Sequence, residues 1–553
     1  MDIYEKFDEL RLMPYGPVPS KRQMEWYRRE KSVFFHFGMN TFTGKEWGDG
    51  TEDPSLFNPT ELDVGQWIRT IKEAGFTSAI LTIKHHDGFC IFKTQETEHS
   101  IKNSPYKNGQ GDVLDEFMKA CREYGIKPGI YLSPWDRHEK TWGTFDYNHF
   151  YTGQLIEIFL RYNDIWEVWW DGAGSTEADY RWDWWAYNVR TSFPNAVIFG
   201  SLGATPHVDV RWVGNEKGVA GKPCYATIDE SSLIHEITSE LNSGKVDGEC
   251  FIPAEVDVSI RPGWFYHPEQ DSQVRSPENL MRLWFTSVGS NAGLLLNIPP
   301  DKRGLLHESD VKALLGFKKL YDESFKDNLA LGSKITASSV REGCLVEDIL
   351  GDVLYAPEDK DRTPEITFDL GEEKEINTFV ISERIELGHK ITDIEFYVYV
   401  NDEWKLVSKN KCVGYKLAEY FDTVKASKFK IKVKDAFDTP ILYNFGLYKI
   451  DERIFNEEKI TKKRLDVSKN VENNEITLNF GGIVPFNQIN VTTEGKAQLE
   501  IHIFNGTAYV KQGEYAVDGK AEIKLPLIDY SYQIKVIFKS GNAEKSTIEV
   551  LNL

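Results

Sequence analysis

A chain of 553 residues is too long for one ordinary domain, and 41% apolar with 13% aromatic residues excludes a disordered chain. The net charge of −21 argues against nucleic acid or anionic lipid as a partner and favours a neutral ligand. Six cysteines without a CxxC pair are too few for a disulfide scaffold, and no apolar run is long enough for a membrane span.

After a leader carrying Pro14, Pro17 and Pro19, KSVFFHFGMN reads as a strand ending at His36, with Glu46 and Trp47 in the loop beyond. Val64, Trp67, Ile68 and Ile71 make one apolar helical face, and Gly75 stops it. SAILTIKHHDGF is a second strand, ending in His85, His86 and Asp87. Leu114, Phe117, Met118 and Cys121 repeat the helical spacing before Gly125. KPGIYLSPWD is a third strand, carrying Tyr131 and Trp135, and Leu155, Ile158, Phe159 and Tyr162 predict a third helix. IWEVWWDG then gives an apolar strand that delivers a single carboxylate, Asp171, to its tip. An Asp-Gly pair also starts turns, so this stretch by itself reads either way.

The alternation implies parallel strands with right-handed crossovers. Polar groups stand at every strand tip, and no Gly-rich phosphate loop follows the first strand, which favours a barrel over a doubly wound sheet. NAVIFGS, DVRWVGNE ending at Glu216, GECFIPAEVDV with Glu255 and Asp257, and GLLLNIPPD continue the pattern less regularly. Leu280, Leu283, Trp284 and Val288 suggest another helix. The expected fold is α/β followed by all-β. Residues 1–325 form a distorted (β/α)8-like TIM barrel short of one or two outer helices. Short alternating runs from about Asn328 predict a β-sandwich over 326–450 and a second small one over 451–553.

The tip groups combine tryptophan and tyrosine with histidine and carboxylates. Aromatic faces stack on sugar rings, polar groups bind hydroxyls, and glycosidic cleavage needs two carboxyls. A metal site is the weaker reading. Adjacent His85 and His86 point to opposite faces unless the strand has ended, and no HxH or HExxH occurs. No GxSxG elbow is present, and no cofactor is implied.

Four strings in order, FHFGMNTF (Phe35–Phe42), KHHDGF (Lys84–Phe89), WWDG (Trp169–Gly172) and RWVGNE (Arg211–Glu216), resemble glycoside hydrolase family 29, the α-L-fucosidases. The resemblance covers roughly residues 10–325. It implies a retaining double displacement with Asp171 as nucleophile. His36, His85, His86 and Tyr131 match positions that hold the fucose hydroxyls, and Glu46 and Trp47 match further sugar contacts. PAEVDVSIRPGWFYH (Pro253–His267) resembles the branch specific for α-1,3/1,4-linked fucose on Lewis-type glycans. There the acid/base follows the fifth or sixth strand, which implies Glu216 with Glu255 as the alternative, and Arg261 and Trp264 would line the pocket. The fucose methyl needs an apolar wall, which Trp264 or Phe35 would supply.

The implied substrate is a fucosylated oligosaccharide or glycoconjugate, with no nucleic-acid or membrane partner and no metal. A broad-specificity fucosidase, a non-catalytic fucose-binding lectin-like protein and a metal-dependent barrel hydrolase are the alternatives. ITFDLGEEKEINTFVISE resembles a discoidin-type, galactose-binding-like module, which either binds sugar through Tyr355 and Trp404 or braces the barrel. MDIYEKFDEL has neither the basic nor the apolar region of a signal peptide, so the cytoplasm is the expected compartment. Secretion or a periplasmic location follows if a leader has been removed.

Overall fold

The computed structural model describes residues 3–173, 179–200, 204, 207–234, 238–455, 463–464, 467–504 and 509–552. They form two compact units, residues 1–260 with 275–455 and residues 261–274 with 456–553. In the first unit eight parallel strands close into a barrel. They are β1 Lys31–Phe35, β2 Ser78–Lys84, β3 Lys127–Leu132, β4 Glu167–Trp170, β5 Val197–Gly200, β6 Val210–Trp212, β9 Ala254–Ser259 and β10 Gly293–Asn297. Between β6 and β9, β7 Thr227–Ile228 and β8 Cys250–Phe251 make a separate antiparallel ribbon. Pairing of β1 with β10 closes the ring.

Helices Val64–Glu73, Val113–Tyr124, Tyr147–Arg161 and Trp182–Ser192 follow β1 to β4, and Pro277–Thr286 and Glu308–Phe325 complete the outer layer. Asp63 and Asp112 cap the first two by accepting from Gln66 N and Asp115 N, each at 2.9 Å. The connection from β5 to β6 carries no helix among the described residues, and the longer one from β6 to β9 carries only Glu230–Ile234 and Thr238–Ser243. The third predicted helix starts earlier than its aliphatic spacing suggests. It begins at Tyr147, its first turns are buried through Tyr147 and Tyr151, and Tyr162 lies just past its end.

Side chains alternate along β4, and its inward set builds the barrel in layers. Glu167 lies at the floor, Trp169 in the middle and Asp171 at the mouth. Trp169 stacks on Phe199 at 3.9 Å and packs against Phe34 at 5.2 Å. At the floor, Arg29 pairs with Glu255 and lies 3.6 Å from Glu167, all three fully or nearly fully buried. Arg29 ends the helix Lys21–Arg29, which starts from a Ser20–Gln23 capping box and closes the barrel bottom with Trp26. A Cβ on Gly293 would stand 2.5 Å from the Trp26 ring, so that position requires glycine.

Burial pushes the Glu167 carboxyl up to about 8, with Arg29 opposing and Glu255 adding to the rise. Below the ordinary carboxyl value of 4.5 both folded and unfolded states hold the proton. Between 4.5 and about 8 only the folded state keeps it, so this group's contribution to stability falls as pH rises through that window. Glu167→Gln is therefore expected to flatten the decline of Tm between pH 5 and 8. Parallel Tm profiles for variant and wild type would refute this.

The first β-sandwich follows the barrel in the same unit. Its antiparallel strands are Lys334–Ala337, Glu365–Glu383, Ile391–Val400, Glu403–Asn410, Leu417–Ala436 and Leu442–Tyr448, around a core that includes Phe368, Phe379, Phe396 and Phe429. It docks at the barrel's N-terminal end, where Asn291, just before β10, donates to Cys224 O and accepts from Tyr415 N, and Tyr27 stacks on Tyr415 at 5.0 Å. Tyr355 is a core residue whose hydroxyl donates to Ser339 O at 2.8 Å, which takes it out of the sugar-binding alternative for this module. Trp404 is half-buried, with Lys430 Nζ 4.4 Å from its ring. In the second unit an antiparallel sheet holds Lys463–Arg464, Ser468–Glu472, Glu475–Phe504, Tyr509–Ser540 and Thr547–Asn552. No helix among the described residues is long and apolar enough to cross a membrane.

Candidate active site

The C-terminal mouth of the barrel gathers side chains from several strand tips. Asp171, one residue past β4, accepts from Tyr131 Oη through Oδ2 and from Ala173 N through Oδ1, both at 2.8 Å. Its side chain is 27% exposed, so a ligand can reach it. His86 Nε2 stands 3.7 Å from Asp171 Oδ2. Strand β2 ends at Lys84, which frees His85 and His86 from strand alternation. Their rings lie 4.0 Å apart, with His85 stacked 5.8 Å from Tyr131. His36, at the tip of β1, is 5.6 Å from His85. Burial lowers all three histidines, His36 to about 3, His86 to about 4 and His85 well below its ordinary value, so they are neutral at pH 7.

Aromatic walls flank this cluster. Trp135 lies 4.8 Å from His86, and Trp47 sits edge-on to both, 5.8 Å from His86 and 5.5 Å from Trp135. Glu46 is half-buried beside Trp47, and its carbonyl accepts from Asn40 Nδ2. Glu216 stands exposed on the loop past β6. That loop is pinned by Asn215, which accepts from Lys217 N and donates to Val219 O, both at 3.0 Å. Asp257, on β9, accepts from Trp212 Nε1 at 2.9 Å. Burial raises the Asp257 carboxyl well above the usual range, and the charge of Glu216 raises it further. Neutral hydrogen-bonding rings, tryptophan faces and carboxyls of different environment form the chemistry of a polyol pocket with acid–base capacity.

Residues 15–320, more than half the chain, match the family model for alpha-L-fucosidase. The chain belongs to the alpha-L-fucosidase family. It is 37% identical over 471 residues to Alpha-L-fucosidase 1 of Arabidopsis thaliana, covering 82% of this chain and 92% of that one. A GH29 fucosidase of Ruminococcus gnavus, solved in complex with fucose, superposes with a TM-score of 0.75 at 32% identity, over 80% of this chain and 97% of that one. A glycoside hydrolase 29 family member from an unknown rumen bacterium matches 97% of this chain and 99% of its own length, with a TM-score of 0.73 at 28% identity.

In this fucosidase the two candidate glutamates occupy opposite ends of the barrel. Glu255 is fully buried at the floor, where it pairs with Arg29 and accepts from Trp169 Nε1 at 3.0 Å. Asp257, whose carboxyl feels the charge of Glu216, lies two places beyond Glu255 on β9 and so one layer nearer the mouth. Phe35 faces the helices, packing on Trp67 at 5.4 Å and Phe117 at 6.4 Å, which removes it as a pocket wall. Strand alternation turns its neighbour Phe34 inward instead, to 4.5 Å from His36. Arg261 and Trp264 follow β9 in a segment belonging to the second unit. Within that segment Arg261 pairs with Asp271 at 2.9 Å and lies 4.7 Å over the Tyr266 ring.

Sequence reasoning passed over Asn40, Ser133 and Asn297, each bonded to one of the three histidines. Asn297 gave the one usable signal, a polar residue closing the apolar strand GLLLN. Among the described residues no three histidine, cysteine or acidic side chains are grouped to hold a metal ion.

Tyr131→Phe removes one hydrogen bond to the Asp171 carboxylate and keeps the packed ring. A hydrogen bond to a charged group contributes about 1.5–3 kcal/mol, so kcat/KM is expected to fall roughly 10- to 100-fold. Fucoside hydrolysis kinetics check this, and a loss below about threefold would show the bond to be idle in the reaction.

Proposed function

We propose that this enzyme is an exo-acting, retaining α-L-fucosidase that removes α-1,3/1,4-linked fucose from Lewis-type branched glycans. The observation that carries the reading is Asp171, held by two donors at the mouth of the barrel and facing three neutral histidines. In the first step Asp171 attacks the anomeric carbon while Glu216 protonates the departing glycosidic oxygen. This gives a covalent fucosyl-enzyme. Glu216 then takes a proton from water, which attacks the same carbon and releases fucose with its configuration retained.

The exposed position of Glu216 suits an acid that must meet a leaving group arriving from solvent. Burial and the charge of Glu216 raise the Asp257 carboxyl well above the usual range, so Asp257 holds its own proton and sets no second negative charge against Glu216. The buried Arg29 partnership leaves Glu255 without that access. The linkage preference rests on the Pro253–His267 string.

The test has two parts. Proton NMR of the first-formed sugar should show the α-anomer; the β-anomer would refute retention. Product analysis on α-1,2, α-1,3, α-1,4 and α-1,6 fucosylated oligosaccharides should show release from the 1,3 and 1,4 linkages. Equal release from all four would replace the linkage preference with broad specificity.

A further inference from the structure

The hydrogen bonds behind the three histidines determine which ring nitrogen carries each proton. The backbone N–H and Nδ1 of His36 both reach Asn297 Oδ1, at 3.3 and 2.8 Å. A backbone N–H only donates, so the amide atom it meets is oxygen, and the ring must then donate from Nδ1. Asn297 Nδ2 donates to Ser259 Oγ at 2.9 Å, which agrees with this orientation. His86 Nδ1 lies 2.8 Å from Ser133 Oγ, whose own hydrogen is committed to Trp135 O at 2.7 Å. Ser133 therefore accepts, and His86 is also protonated on Nδ1.

His85 is the reverse. Asn40 donates through Nδ2 to Glu46 O at 3.1 Å, and the same nitrogen lies 3.4 Å from His85 Nδ1. An amide atom facing a carbonyl must be the nitrogen, so His85 Nδ1 accepts and its proton sits on Nε2.

We propose that Asn297, Ser133 and Asn40 are positioning residues that fix a directional pattern, with His36 Nε2 and His86 Nε2 as acceptors and His85 Nε2–H as donor. The pocket then selects a sugar by the direction of its hydroxyl hydrogens as well as by their positions. This rests on the reading that the three histidines hold fucose. Two consequences follow from the pattern. His86 turns a lone pair toward Asp171 across 3.7 Å, so it does not engage the carboxylate as a donor. A hydroxyl facing His85 serves as an acceptor, whereas those facing His36 and His86 must donate.

Neutron diffraction from the full-length protein reads the ring hydrogens directly. The expected result is hydrogen on Nδ1 of His36 and His86 and on Nε2 of His85, and a different placement at any of the three overturns the pattern. Ser133→Ala, followed by 15N NMR of histidine-labelled protein, is expected to show His86 shifting toward the Nε2–H form while kcat/KM falls at least about tenfold. An unchanged His86 signature in that variant would overturn the positioning role of Ser133. Unchanged fucose affinity in His36→Ala would instead overturn the reading beneath the proposal, whatever the tautomers.

Discussion

Asp171→Asn is expected to lower kcat/KM by at least about 10³-fold, some 4 kcal/mol of lost transition-state stabilisation. The amide is isosteric with the carboxylate but cannot form the glycosyl ester on which double displacement depends. The fold should survive, because Asp171 is partly exposed and its partners are one hydroxyl and one backbone N–H. An amide still accepts from Ala173 N through its oxygen, while the Tyr131 hydroxyl can rotate to accept from the new NH2. Circular dichroism melting beside aryl-fucoside kinetics separates the two effects. Residual activity above about a tenth of wild type in a normally folded variant would remove Asp171 as the nucleophile.

Loss of Glu216 should depend on the leaving group. Glu216→Ala is expected to slow release from natural glycans by about 10²- to 10⁴-fold, the usual worth of general acid–base catalysis. Activated aryl fucosides, whose leaving groups need little protonation, should be affected far less at the first step. Added azide should then accelerate turnover by intercepting the fucosyl-enzyme and yield fucosyl azide. The contrast between Glu216 and Glu255 is sharp. Glu255→Ala removes the carboxylate paired with a buried arginine, a change that costs about 3–5 kcal/mol of stability. It should therefore appear first as a lowered Tm. An azide-rescued Glu255→Ala variant with unchanged Tm would exchange the two assignments.

The first three strand–helix units were legible because each strand is followed by a helix with one apolar face, whereas the helix Trp182–Ser192 after the fourth strand was not read from the sequence. IWEVWWDG by itself reads either way, and the place of Asp171 at a strand tip became legible only through the strand–helix units that precede it. The floor was not. The helix Lys21–Arg29 is rich in charge, and Arg29 is buried only because Glu167 and Glu255 meet it from strands far away in the chain. The residues behind the histidines were hidden for the same reason, since a side chain bonded to a ring on another strand leaves no local periodicity. The sandwich strands also run longer than their sequence suggests. The strand Glu365–Glu383 runs on through DLGEEKE by shifting register, with Gly371 at φ 77°. Register shifts likewise join several separate-looking runs into Glu475–Phe504.

The docking of the sandwich beneath the barrel bears on how the enzyme can be shortened. A truncation after Phe325 would cut Tyr27 loose from Tyr415 and strip Glu30 of its Lys416 partner. It would also leave the Asn291 amide oxygen without Tyr415 N, and Phe285 without the Phe455 ring 5.0 Å away. Such a fragment would present an uncovered aromatic face next to the strand that closes the ring. A soluble fragment is therefore expected to extend at least through Phe455, and recombinant products ending near residue 325 should go into inclusion bodies.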